Sequence, residues 1–426
     1  MRFAKNSSPH RRTTRNALVC LAIAGAVWAG FRMFEPVLTW SSGWQPLPQA
    51  LEAVATANTH FADPAWATVA AQADSQLREA RVRLQAPAVS AAIMIDGKRV
   101  WASATGLADI AQGRPVDLDS SFRLGSTSKA VNALAVGRQI DAGKLDIDRS
   151  VRAYLPDLPA SYDAVTTRLA ISHTAGIPDY SLCLCFPIWE HKNRRHFDSV
   201  RAALHVFEDR PLLFRPGEGF SYSSYGANVA GAVVEATAGR PYNRFVADAV
   251  LQPLGMTHSA ADVAGAENRH RVMFYEVTEG QYKPADPVDN SIRYPSGGLL
   301  STPSDMLALG QAFLDDGFLT AGTRARLLTP QKLRDGRDNE QGYALGMRVF
   351  AGKKLLNDTV TTRFYSHHGT AVGSTSYFGI YPDYGLVVSV MMNKGQENVD
   401  AIAPEANRLV ELFLAEKQRR AAGAAH

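Results

Sequence analysis

Phe122-Arg123-Leu124-Gly125-Ser126-Thr127-Ser128-Lys129, running on into AVNALAVGRQIDAGKL, is the stretch from which the rest of the chain can be read. The run after Gly125 is built of small and apolar residues and reads as a helix that stops near Gly143. Ser126 falls at its N-terminus, and Lys129, three positions on, shares its face. A serine hydroxyl is a weak nucleophile and needs a neighbour to take its proton. A lysine held away from water can fill that role or tune a second base. The helix N-terminus favours negative charge developing beside it. Ser128 competes as nucleophile, but no lysine follows it at the same spacing.

Two further segments carry the same chemistry. Arg215-Pro216-Gly217-Glu218-Gly219-Phe220-Ser221-Tyr222-Ser223-Ser224-Tyr225-Gly226 is a Pro/Gly-rich loop that delivers Tyr222 just before a small-residue helix, ANVAGAVVEATAG. Near an ammonium group the phenolate form of a tyrosine is favoured, which makes Tyr222 a candidate acid–base partner. Tyr365-Ser366-His367-His368-Gly369-Thr370 leads into a β-rich run. There a polar residue followed by glycine at a strand edge would let a substrate lie along the backbone, with the Thr370 and Ser126 amides as oxyanion donors. No metal-ligand spacing and no phosphate-cradling glycine loop occurs, so neither a metal nor an organic cofactor is expected. The absence of a Gly-x-Ser-x-Gly elbow argues against an α/β-hydrolase.

Taken in order, these motifs resemble those of the class C β-lactamase, D-aminopeptidase and esterase family of penicillin-recognising serine hydrolases. LAISHTAGIPDY (169–180) looks like that family's Ser-His-Thr-x-Gly element, in which His173 is chiefly structural. PLLFRPGEGFSYSSYG, LQPLGMTHS and SGGLLSTPSDMLALG also match its landmarks, and the likeness runs from about residue 85 to 415. The likeness is closest to the branch of mitochondrial serine β-lactamase-like proteins and their bacterial relatives, through Tyr222-Ser223-Ser224, Pro287-Val288-Asp289-Asn290-Ser291 and His367-x-Gly369. The resemblance implies Ser126, Lys129 and Tyr222 as catalytic residues, with Ser224, His367, Gly369 and Thr370 around the substrate. Two departures from the true β-lactamases stand out. Ser224 replaces the asparagine of Tyr-x-Asn, and His367 replaces a lysine, which suggests a weaker, pH-dependent anchor for a substrate carboxylate. A peptidase, amidase or esterase acting on a small substrate fits these changes better than a β-lactamase. A tethered scaffold or filament-forming protein keeping the same fold is the non-enzymatic alternative.

Further out, both flanks show sheet patterns. Ala65–Leu84 has helical spacing at Val69, Ala73, Leu77 and Ala80, and Pro87–Ile95 and Lys98–Gly106 flank the turn pair Asp96-Gly97. Thr375–Tyr381 and Leu386–Met392 form a second hairpin, followed by a helix over Ala403–Arg419 with Leu409, Leu412 and Phe413 on one face. The expectation is an α/β (α+β) fold in which one antiparallel sheet, made from both chain ends, is covered by the helices at those ends. A mostly helical subdomain, about 130–290, would be inserted between them. The hydrolase domain would span 65–426.

The totals allow this. The chain has 426 residues, 46% hydrophobic and 20% charged, which is ordinary globular composition. The net charge of +4 includes Arg2, Lys5, Arg11, Arg12 and Arg15; taking those five away leaves −1, so nucleic-acid binding is not expected. Those charges precede an uncharged apolar run, Ala17–Phe31, short for a spanning helix and suited to an export signal. Residues 1–34 therefore read as a signal peptide or a membrane anchor and 35–64 as a tether. The body would be exported, periplasmic or anchored outside the cytoplasm. Of three cysteines, Cys183 and Cys185 are too close for an unstrained bridge and read as free thiols.

Overall fold

The computed structural model describes residues 9–48, 56–57, 64–181, 188–395 and 401–423. Cys183 and Cys185 lie outside these residues, and Cys20 is free and exposed.

An antiparallel sheet organises the body. The first hairpin is β1 (Ala88–Ile95) and β2 (Lys98–Asp109). Its turn residues Asp96 and Gly97 have φ of 51° and 75°, the left-handed pair that a two-residue hairpin turn demands. From the far end of the chain come β3 (Arg348–Leu355), β4 (Val360–Ala371), β5 (Ser374–Tyr381) and β6 (Leu386–Met392). The order across the sheet is β3-β4-β5-β6-β1-β2. Pairing of β6 with β1, Leu386 opposite Ile95 through Met392 opposite Val89, joins the two chain ends as expected.

Both faces of the sheet are covered, so the strands are buried on both sides despite their period of two. Val89, Ala91, Ile93, Val388 and Val390 pack on one face with Leu77, Leu409, Val410 and Phe413. These belong to α2 (Ala67–Arg83) and the C-terminal helix α6 (Ala403–Gly423); α1 is the N-terminal helix described below. The Trp101 indole N–H donates to Asp74 of α2 at 3.0 Å. On the other face Ala88, Ala92, Met94 and Val387 meet α3 (Ser128–Asp141) and α5 (Pro303–Leu314); α4 (Ser224–Ala238) packs against α3. A small sheet, Phe122–Arg123 with Leu299–Ser301 and Ala260–Ala261, leads straight into the Ser126 turn. It is pinned by a buried ion pair, Arg123 Nε to Asp262 Oδ2 at 2.7 Å, which also accepts from Asn290 at 2.6 Å.

The N-terminal part departs from the sequence reading. Helix α1 (Pro9–Leu38) continues past the uncharged run, and Thr14–Leu38 is long and apolar enough to cross a membrane, with a mean hydropathy of 1.8. Near its C-terminal end Glu35 pairs with Arg32 of the same helix and with Arg194 of the body, each at 3.0 Å. Part of the supposed tether is docked. Gln45–Pro46 pairs with Gln281–Tyr282, and Thr56–Ala57 pairs with Ala104–Thr105 of β2. Lys283 donates to the Trp40 carbonyl at 3.1 Å. Backbone pairing and cation capping of this kind leave no periodicity in the sequence.

Candidate active site

The Ser126 turn is shaped by two close backbone approaches. Residues Gly125–Thr127 form a single tight turn that runs into α3. Gly125 has φ +52°, and a Cβ there would lie 2.5 Å from the Thr370 carbonyl oxygen. A Cβ on Gly369 would lie 1.9 Å from the Leu124 carbonyl oxygen. Only glycine fits either place. The end of β4 is thereby pressed against the turn, with the Thr370 amide nitrogen 2.9 Å from where a Gly125 Cβ would lie. Gly369 makes room for the chain leading to Ser126 rather than, as the sequence suggested, for a substrate. Ser128 is fully buried and accepts from the Leu299 amide at 3.3 Å, a structural role.

Lys129 is fully buried in the first turn of α3. Its Nζ donates to Ser126 Oγ at 3.1 Å, Ser224 Oγ at 3.5 Å and the Ser296 carbonyl at 2.8 Å. It sits 4.9 Å from the centre of the Tyr222 ring. Ser126 and Tyr222 are each partly exposed.

Tyr222 is held by the Ser172–Tyr180 segment. The Ser221 amide donates to the His173 carbonyl at 2.9 Å and the Ser223 amide to His173 Nδ1 at 3.1 Å. The Ser223 hydroxyl caps α4 through the Gly226 amide at 2.9 Å. Asp179 Oδ1 accepts from the Ser224 amide at 3.0 Å. His173 has φ 65°, unusual for a residue other than glycine, and its ring lies 4.3 Å from both Tyr222 and Tyr343. Burial, with Lys129 and Arg348 nearby, keeps its pKa well below the ordinary value, so it is neutral.

His367 is corrected by its surroundings. It is fully buried; one ring nitrogen bonds the Tyr343 hydroxyl at 2.8 Å and Nδ1 donates to the His368 carbonyl at 2.7 Å. Burial, then Arg348 and Lys129, push its pKa well below 6.5. A neutral, doubly bonded imidazole is not a pH-dependent carboxylate anchor. Its ring is 6.4 Å from that of Tyr222, and it supports the site from behind.

Four residues of the site escaped sequence reasoning. Tyr343 is fully buried and wedged between His173 and His367. Arg348 places its guanidinium 5.7 Å from the Tyr222 ring centre, held by the Gln341 side chain at 2.7 and 3.0 Å. Tyr180 directs its hydroxyl to Ser224 and Ser296, and burial raises its pKa. Asp179 is the fourth. The last two lie in the 169–180 motif that the sequence singled out; Tyr343 and Arg348 have no motif around them.

The neutral state of His367 has a consequence for stability. Its folded pKa lies below the unfolded value near 6.5, so the unfolded chain takes up a proton first as pH falls. The stability this contributes is fully present above about pH 6.5 and is lost below it. The loss grows as pH falls further below the ordinary histidine value. Urea unfolding of the parent and of His367→Gln at about pH 7.5 and 5.5 should show a smaller acid-side loss in the variant; equal losses would contradict the neutral assignment.

A serine at the head of a helix, a buried lysine and a loop tyrosine, set between an antiparallel sheet and a helical region, form the arrangement expected of a penicillin-recognising serine hydrolase. The β-lactamase family model matches residues 67–412, and the chain belongs to that family. It is 26% identical over 412 residues to the human mitochondrial serine β-lactamase-like protein LACTB, covering 75% of each chain. To esterase EstB of Burkholderia gladioli it is 31% identical over 229 residues, 51% of this chain and 57% of the esterase. Among solved structures, the D-amino acid amidase of Ochrobactrum anthropi SV3 with D-phenylalanine superposes with a TM-score of 0.70 at 18% identity, covering 82% of this chain and 99% of the amidase. The fold is accordingly β-lactamase/transpeptidase-like, and the family is one of serine hydrolases.

Proposed function

We propose that this chain hydrolyses a small peptide, amide or ester through an acyl-enzyme on Ser126. The observation that carries the reading is the buried Lys129 ammonium 3.1 Å from Ser126 Oγ and beside the Tyr222 ring. Ser126 Oγ attacks the carbonyl carbon, and its proton passes to the Lys129–Tyr222 pair. The Ser126 amide, at a helix N-terminus, and the Thr370 amide, at the end of β4, stabilise the oxyanion. As the tetrahedral intermediate collapses, the bond to the leaving group breaks and Tyr222 protonates that group. Water then attacks the acyl ester, gives its proton to the same pair and releases Ser126.

Two features favour small esters and amides over β-lactams. Ser224 offers a short hydroxyl where a β-lactamase has an amide. With His367 neutral, the positive charge beside Tyr222 other than that of Lys129 comes from Arg348, set on a different strand from His367. A panel of a chromogenic cephalosporin, short-chain acyl esters and D-amino-acid amides tests this. Turnover of an ester or amide with the higher kcat/KM is expected. A cephalosporin preferred over every ester and amide would make the chain a β-lactamase, and no turnover of any would favour a scaffold.

We also infer that α1 stays attached as a membrane anchor, with the catalytic body outside the cytoplasm. The helix runs unbroken through Ala24-Gly25-Ala26 and Val27-Trp28-Ala29, small-residue stretches of the kind at which a signal peptide is cut, and Met33, Glu35 and Trp40 are fastened to the body.

A further inference from the structure

We propose a zinc site on the flank of the small sheet, formed by Asp119, His258 and His270. These residues come from three separate segments, yet their ligating atoms all lie within 4.8 Å of one another. Asp119 Oδ1 is 3.8 Å from His258 Nε2, and the two imidazoles meet edge to face with centres 5.0 Å apart. Both histidines are half-buried and Asp119 is exposed, so a fourth position is open to water. Two imidazoles, one carboxylate and a water suit Zn²⁺ in tetrahedral geometry. Bonds of about 2.0–2.1 Å place donors about 3.3 Å apart, so the side chains need to close by about 0.5–1.5 Å. Arg269, whose Nε donates to His270 Nε2 at 3.0 Å, is exposed and swings away when that nitrogen binds metal.

The three segments are not a random patch of surface. Asp119 precedes the Phe122–Arg123 strand that runs into the Ser126 turn. His258 precedes Ala260–Ala261 of the same sheet, and its amide and the Ser259 hydroxyl are held by Asp305 at 2.9 and 2.7 Å. The His270 carbonyl accepts from the Ser121 amide at 2.8 Å. A metal joining all three clamps the edges of the sheet that carries the nucleophile. The donors are too far apart in the chain to form a readable spacing.

The test uses the full chain in detergent, stripped with a chelator and titrated with Zn²⁺ by calorimetry, with thermal melting alongside. One equivalent is expected to bind with micromolar affinity, raising the melting temperature by about 3 °C at saturation. His258→Ala and His270→Ala should each weaken binding at least tenfold and abolish the shift, while their metal-free melting stays that of the parent. Asp119→Asn, an exposed change, gives the same reading should a histidine variant fold poorly. Saturable binding that survives in His258→Ala/His270→Ala, or no binding below 0.1 mM Zn²⁺, overturns the proposal.

Discussion

Lys129→Met is expected to lower kcat/KM on a short-chain ester by about 10³-fold or more, the upper part of the range for a positioned acid–base group. Methionine keeps the length and apolar stem of lysine and removes only the ammonium. That ammonium touches both Ser126 and Ser224, and it is also fixed by the Ser296 carbonyl. Leaving the buried carbonyl without its donor costs about 1–3 kcal/mol, while a desolvated charge is removed at the same time. The protein should stay folded by circular dichroism and melt within a few degrees of the parent. Lys129→Arg should be as inactive, because a guanidinium is bulkier and does not give up its proton in proteins. Activity of Lys129→Met within tenfold of the parent would remove the lysine from the mechanism.

Tyr222→Phe has the second largest expected effect, a fall of about 10²- to 10⁴-fold in kcat with KM little changed. The ring should stay in place, because its packing does not use the hydroxyl. It lies 4.3 Å from His173, 6.1 Å from Tyr343 and 4.9 Å from Lys129 Nζ. The loss is therefore assigned to the proton the hydroxyl carries. Steady-state kinetics with esters of graded leaving-group pKa sharpen the test. The defect should be largest for the poorest leaving groups, which most need protonation as they depart. A uniform defect across the series would mean that Tyr222 positions substrate rather than transferring a proton.

The sheet was legible because its signals are local. Asp96-Gly97 between apolar runs specifies a tight turn, and the spacing of Val69, Ala73 and Leu77 specifies one helical face. The pairing of β6 with β1 followed because two hairpins at opposite chain ends share one pattern. The neighbourhood of Ser126, Lys129, Ser224 and Tyr222 was legible because three of these residues sit in motifs with helix-start chemistry. What escaped depends on distant packing. His367 looked like a titrating anchor until Tyr343, from a loop without any motif, proved to occupy one ring nitrogen. Arg348 belongs to a strand that is mostly exposed or half-buried, without alternation, so nothing in its spacing marked it. Gly369 read as an open strand edge, whereas the Leu124 carbonyl fills the space a Cβ would need. The docked segment around Trp40 read as a tether because backbone pairing is indifferent to side-chain identity.

His367 supplies no cation to anchor a substrate carboxylate, and this shapes what the site can bind. Two neutral imidazoles, His173 and His367, line the back of the pocket, with Lys129 and Arg348 as the charged groups among them. Neither imidazole adds a charge to the pocket in the range where histidines ordinarily titrate. In the proposed mechanism the proton moves through a lysine and a tyrosine rather than an imidazole.

The most direct measurement is the mass of the protein trapped with a fluorophosphonate or with a slowly hydrolysed ester, followed by mapping of the modified peptide. One adduct per chain, on Ser126, absent from Ser126→Ala and strongly reduced in Lys129→Met, is the predicted result. An adduct on another residue, or one that persists in Ser126→Ala, would contradict the account.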